Sequence, residues 1–373
     1  MSRTERTTAR AEPAQQRDRF PDLLRSLALG AVILGHWTMA AVSVQNGELH
    51  VDNVLNTNRF LWPLTWVLVL IPLFFFVGGF SNATSLTRAL GRGDSPAKWL
   101  VKRLKALIVP VLPFLVVVVG LVLLALQLGA PRTLTLTVGI VVLMPLWFVA
   151  VYSVLAAITV PMLGLHRRYG IRIVVGLAVL ACVVDAARTI LDEPYIGYAN
   201  YVLVHGTAQQ LGFFYWDGRL GRVSRRALGA WSLGALALLC AVVATPIWSE
   251  SMVGLSGERS NMSPPSIPTF LHTLFLIPLA MLARPWVARW MDRLRPARIL
   301  DVAARYSMRA FLWHLPVAVV VYGLVFALSG PLPTPGTGVW WLSRPLMLAI
   351  LAVVLVGWLR LGDWLGGRRT RRP

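Results

Sequence analysis

The stretch Phe20-Pro21-Asp22-Leu23-Leu24-Arg25-Ser26-Leu27-Ala28-Leu29-Gly30-Ala31-Val32-Ile33-Leu34-Gly35-His36-Trp37 decides how this chain is built. It is an apolar run long enough to enter a bilayer, with one arginine at its start and one histidine farther along. Arg25 and His36 lie eleven residues apart. At 3.6 residues per turn this is close to three turns, so both side chains leave one helix face about 16 Å apart along the axis. Asp22 precedes Arg25 by three residues and is placed to pair with its guanidinium. An ionisable side chain within a lipid-spanning segment is costly, and it points to function.

The rest of the chain has the same character. Hydrophobic residues make up 56% and charged residues 14%, against about a quarter charged in soluble domains. The expected fold class is therefore an all-α integral membrane bundle. A net charge of +20 would suggest nucleic acid in a soluble protein. Here the cations fall in short loops between apolar runs, so topology explains them and no nucleic-acid partner is expected. Those loops favour an anionic cytoplasmic leaflet, with membrane lipid as the surrounding partner. The arginine bias (Lys98, Lys102 and Lys105 are the lysines) suggests a G+C-rich bacterial genome. The two cysteines, Cys182 and Cys240, lie in apolar runs and build neither a disulfide framework nor a zinc site.

About ten apolar runs reach spanning length: 21–43, 61–83, 106–128, 136–160, 171–190, 199–216, 228–248, 267–287, 306–329 and 339–361. The sixth is the weakest, because His205, Thr207, Gln209 and Gln210 interrupt it. All but Arg59, Arg132, Arg188, Arg259 and Arg344 of the 36 basic residues fall on one side of this plan. The asymmetry predicts both termini in the cytoplasm and an even number of spans in a plasma (inner) membrane. Residues 1–19 are polar, lack the apolar core of a signal peptide and read as a disordered cytoplasmic tail. A single transmembrane domain is expected over 20–361, with a basic cytoplasmic tail at 362–373. The outside segment 249–266, rich in Gly, Pro and Ser, reads as a loop: a connector or a cap over an acceptor pocket.

Several segments together resemble the membrane acyltransferase-3 family of O-acyltransferases. Its first helix carries a basic residue, ten intervening residues and a histidine, as Arg25 and His36 do. Phe74-Phe75-Phe76-Val77-Gly78-Gly79-Phe80-Ser81 is similar to the family's second helix. Lys98 to Pro110 resembles its basic loop entering an apolar helix, although Lys102 and Lys105 flank Arg103 where arginines are common. Leu146-Trp147-Phe148-Val149 and Tyr306 to Pro316, the latter containing Trp313-His314-Leu315-Pro316, resemble two later segments. The similarities run in order from about residue 18 to 360. Some members continue into an extracytoplasmic hydrolase-like domain, which is not seen in this chain.

The resemblance implies an acyl-coenzyme A donor, commonly acetyl-coenzyme A, and a hydroxyl acceptor on an envelope carbohydrate, a glycolipid or a small secondary metabolite. His36 is the expected catalytic base or acyl carrier, since a neutral imidazole can take a hydroxyl proton or form an acyl-imidazole. Arg25, Lys102, Arg103 and Lys105, all expected at the cytoplasmic face, are the candidates for the donor's phosphates. Trp147 and His314 are candidates to contact substrate, against packing and interhelical bonding at a proline kink. His205 and His272 are weaker candidates of the same kind. No metal is expected, because no carboxylate lies at ligand spacing from these histidines. The rival reading is a transporter or flippase of an amphipathic solute, but no internal repeat supports it.

Overall fold

Helix starts are written into the chain by proline and serine. Pro21 and Pro72 occupy the first turns of their helices, and Ser95 and Ser224 cap two others by accepting from the amides of Lys98 and Ala227. A computed structural model describes residues 18–45, 48–255, 257–294, 296–330 and 332–370. Most of the expected cytoplasmic tail, residues 1–17, and the end of the basic tail, 371–373, lie outside the described residues.

The order is α1 (Phe20–Met39), a hairpin of β1 (Ala40–Gln45) and β2 (Glu48–Asn53), α2 (Val54–Thr57), α3 (Trp62–Leu68) and α4 (Ile71–Gly91). There follow α5 (Pro96–Ile108), α6 (Val111–Gln127), α7 (Arg132–Leu143), α8 (Leu146–Ala157), α9 (Thr159–Tyr169) and α10 (Ile171–Ile190). The chain continues with α11 (Ala199–Trp216), α12 (Arg225–Val243), α13 (Ile267–Leu294), α14 (Ala297–Ser329) and α15 (Gly338–Thr370). The protein is thus a helical membrane bundle.

Among the described residues, eight helices or helix pairs are long and apolar enough to cross a bilayer. They coincide with eight of the ten expected runs. The other two runs correspond to α1 and α11, which are the polar ones. Burial explains the split: 12 of the 18 residues of α11 are buried, whereas α6 buries only Val111, Phe114 and Val118. α6 faces lipid and is apolar all round; α11 is wrapped by protein and can carry His205, Thr207, Gln209 and Gln210.

Lipid tails are as apolar as leucine, so helices here associate by close packing and hydrogen bonds. The tightest seam joins α4 to α11. A Cβ on Gly79 would lie 2.1 Å from the Gln209 carbonyl oxygen, and one on Gly212 would lie 2.1 Å from that of Phe76. The Gly78-Gly79 pair therefore serves helix packing. One difference from the sequence reading stands out, while the 249–266 segment is a loop as read. The first span ends at Met39, and 40–53 forms an antiparallel hairpin pairing Ala40 with Asn53 through Gln45 with Glu48. The 249–266 segment is a built loop around Asn261, whose buried amide donates to the carbonyls of Ser249 (2.6 Å) and Ser251 (2.8 Å).

Candidate active site

α1 carries Arg25 and His36 on one uninterrupted helix, packed against α4 and α14. Arg25 is partly exposed and lies 3.5 Å from Asp22, the pairing its spacing predicts. His36 meets His314 of α14, with Nδ1 of the first 2.8 Å from Nε2 of the second and the rings nearly parallel. Nδ1 of His314 lies 2.6 Å from the Phe311 carbonyl oxygen, one turn back on the same helix. Beside them the Trp37 indole donates to the His314 carbonyl at 3.0 Å, pinning α1 to α14.

These contacts fix the protons of the neutral pair. A carbonyl only accepts, so Nδ1 of His314 carries its hydrogen and Nε2 is bare. Bare Nε2 accepts from Nδ1–H of His36, and that leaves the lone pair of His36 on its own Nε2. This nitrogen has no hydrogen-bond partner among the described residues and is not among the sealed polar atoms. His314 is fully buried and His36 only partly, so His36 is the more accessible of the two rings.

The second group of candidates separates. Lys102 and Lys105 lie on the exposed face of α5, while Arg103 turns inward. Its Nε donates to Asn82 Oδ1 (2.9 Å) and an Nη to the Tyr152 hydroxyl (2.8 Å). Asn82 in turn is 3.4 Å from Gln209 Oε1, so Arg103 ties α5 to α4, α8 and α11. Among the described residues no three His, Cys, Asp or Glu side chains converge as metal ligands.

Trp147 packs beside Tyr201 and His205, with ring centroids 5.3 and 5.9 Å away. His205 is completely buried, stacks on Phe75 at 4.2 Å, and has no partner for either ring nitrogen among the described residues. From it, Phe75, Phe148 and Phe311 form a line of ring contacts reaching His314. His272 instead bonds the Trp66 carbonyl at 2.9 Å and holds α13 to α3.

Against known proteins, the chain matches the acyltransferase domain family over residues 18–359. It belongs to the acyltransferase-3 family. No curated protein and no solved structure matches it. The matched region holds every element that builds the paired histidines, and membrane acyltransferase activity follows from membership.

Two features of this acyltransferase were missed in its sequence. The first is the pairing of His36 with His314; its only signal is that both sit in polar breaks of apolar runs. The second is a cluster at the expected cytoplasmic mouth of α1. There Asp18 accepts from the Phe20 amide (3.0 Å), the Tyr215 hydroxyl (2.6 Å) and Arg284 (3.2 Å). Arg284 thereby joins Arg25 as a cation near the start of α1.

Proposed function

We propose that this acyltransferase takes an acyl group, acetyl in the simplest form, from cytoplasmic acyl-coenzyme A. It transfers that group to a hydroxyl of an envelope carbohydrate, a glycolipid or a hydroxylated metabolite. The carrying observation is the hydrogen-bond line from the Phe311 carbonyl through His314 to His36, which leaves one basic nitrogen open. The domain is taken as 20–361, with ten spans and both termini cytoplasmic in the inner membrane. That topology rests on the charge asymmetry.

In this reading Nε2 of His36 removes the acceptor's hydroxyl proton as the oxygen attacks the thioester carbonyl carbon. The carbon–sulfur bond breaks, and the leaving thiolate receives the proton back from His36. His314 stabilises the transient imidazolium by accepting its Nδ1–H. A positioned base of this kind contributes about 10²- to 10⁴-fold in rate. Arg25, three turns before His36, serves the phosphates at the cytoplasmic end, and Lys102 and Lys105 add charge from the exposed face of α5. Arg103 has two nitrogens engaged within the protein and contributes by holding α5 in place, with one Nη left for substrate. Trp147, on the side of α8 facing α11, lines the acceptor's approach.

The test is acyl transfer by the purified protein in nanodiscs with radiolabelled acetyl-coenzyme A and candidate glycans. His36→Ala is expected to abolish transfer; wild-type levels in that variant would overturn the mechanism. Coenzyme A is expected to protect Lys102 and Lys105 from an amine-reactive reagent. Equal labelling with and without coenzyme A would remove them from the donor site.

A further inference from the structure

Two cavities stand out, and they differ in kind. One, of about 690 Å³, is an open cleft at the expected outer surface between Arg59, Trp248, Glu258 and Arg259. None of its lining residues comes from α1, α4, α8 or α14. The other, of about 230 Å³, lies between the hairpin, α7 and α14, and includes Ala40, Val42, Val138, Leu315, Ala318 and Gly323. Its lining presents almost no polar surface, and the hydroxyl of its one tyrosine, Tyr322, is taken by Arg344.

The position of the second cavity gives it meaning. The Ala40 amide bonds the carbonyl of His36, so Ala40 lies one turn beyond His36 along α1. Ala318 lies four residues, again one turn, beyond His314 along α14. The residues one turn beyond the two histidines, Ala40 and Ala318, both line the pocket, as does Leu315 beside His314, and the pocket runs on along α14 through Tyr322 to Phe326. Arg25 lies three turns to the other side of His36. A linear donor with its phosphates near Arg25 and its thioester at His36 therefore points its acyl group at this pocket.

We propose that the pocket is the acyl-chain subsite and takes a linear or branched alkyl chain longer than acetyl, acetyl being the shortest group transferred and not the preferred one. This rests on the donor being an acyl-coenzyme A. At about 30 Å³ per heavy atom, the share of one water in the liquid, the volume suits about five to eight carbons. The pocket is partly open, with Val319 and Gly323 exposed, and a two-carbon group would occupy only a small part of it. Each methylene that enters raises affinity about fourfold. Gly323 lines the far part, and a Cβ there would meet nothing within 4 Å, so a side chain placed at this position has room to fill the pocket.

The experiment uses the protein in nanodiscs and a non-hydrolysable thioether analogue of hexanoyl-coenzyme A with a diazirine at the chain tip. Photolysis is expected to label α7 between 134 and 141 and α14 between 318 and 326. The ratio of affinities for hexanoyl-coenzyme A over coenzyme A, from displacement of radiolabelled coenzyme A, is expected to fall about tenfold in Gly323→Leu. Phe326→Ala, which lengthens the pocket, is expected to shift the preference towards longer chains. Labelling confined to other helices, or a ratio unchanged in both variants, overturns the proposal. So does labelling of this face by a tail-diazirine phospholipid but not by the coenzyme A probe, because the pocket then holds bilayer lipid. Absence of any coenzyme A binding would instead remove the donor reading beneath it.

Discussion

Two of the histidine centres in this bundle use the same side chain in opposite ways. At the histidine pair, His36 bonds through one nitrogen and leaves the other open. At the α9–α11 junction, His166 has both nitrogens engaged. The Gln210 amide donates to Nδ1 (2.7 Å), and Nε2 bonds Asp217 Oδ2 (2.9 Å) beside an Arg219 Nη at 2.6 Å. A ring used up on both sides joins three segments and offers nothing to a substrate. A ring fixed on one side is aimed, and its free nitrogen can work. One nitrogen held and the other left accessible separates the catalytic candidate from His166; His272 also has one nitrogen unengaged, but that nitrogen is sealed within the protein.

The largest expected effect that tests this contrast is on His36. His36→Ala should reduce acyl transfer about 10²- to 10⁴-fold with the fold intact, measured as turnover per folded molecule. Next comes the orienting partner. His314→Ala should lower kcat by about ten- to a hundredfold, and His314→Asn, whose carbonyl can still accept from Nδ1–H, should recover part of it. Equal loss in both variants would mean that His314 matters only for packing. His166→Phe should have the reverse signature: turnover per folded molecule unchanged, and stability lowered by about 1–3 kcal/mol because Gln210 and Asp217 lose a partner. A kcat defect there would break the comparison.

The smallest effect is on pH. Burial holds the His166 ring below the ordinary value of 6.5, the hydrogen bond to Asp217 opposing and nearby Arg219 adding to the fall. Just below pH 6.5 the folded state therefore binds fewer protons than the unfolded one. The stability from this site is present above that pH and fades as pH drops towards the lowered value. Thermal unfolding of the solubilised wild type should show this loss on acidification, and His166→Phe should show less of it. Identical slopes would remove His166 as the source.

Most of the fold was legible because spanning a bilayer demands long apolar runs, and all ten expected runs correspond to helices. The hairpin at 40–53 was not, since Ala40 to Val44 continues the apolar pattern of α1 and only pairing with Glu48–Asn53 makes it a strand. The site was legible by halves. Arg25 and His36 share one helix, so their spacing is local and readable. His314 comes 278 residues later, and no periodicity in either segment says that α1 and α14 touch. Arg103 was read as a free cation because a sequence gives charge and not direction; its engagement with Asn82 and Tyr152 depends on how α4, α5 and α8 meet. Likewise Arg188 was counted as an outside charge. It is buried against Asp185 at 2.8 Å, a pairing their three-residue spacing permits but does not require.

The distance along the chain between the two halves of the pair has a consequence for biosynthesis. His36 precedes by 278 residues the partner that sets its tautomer. Until α14 has been synthesised and has docked through Trp37, the ring is free to carry its proton on either nitrogen. The arrangement proposed for catalysis is therefore completed only when α14 docks on α1.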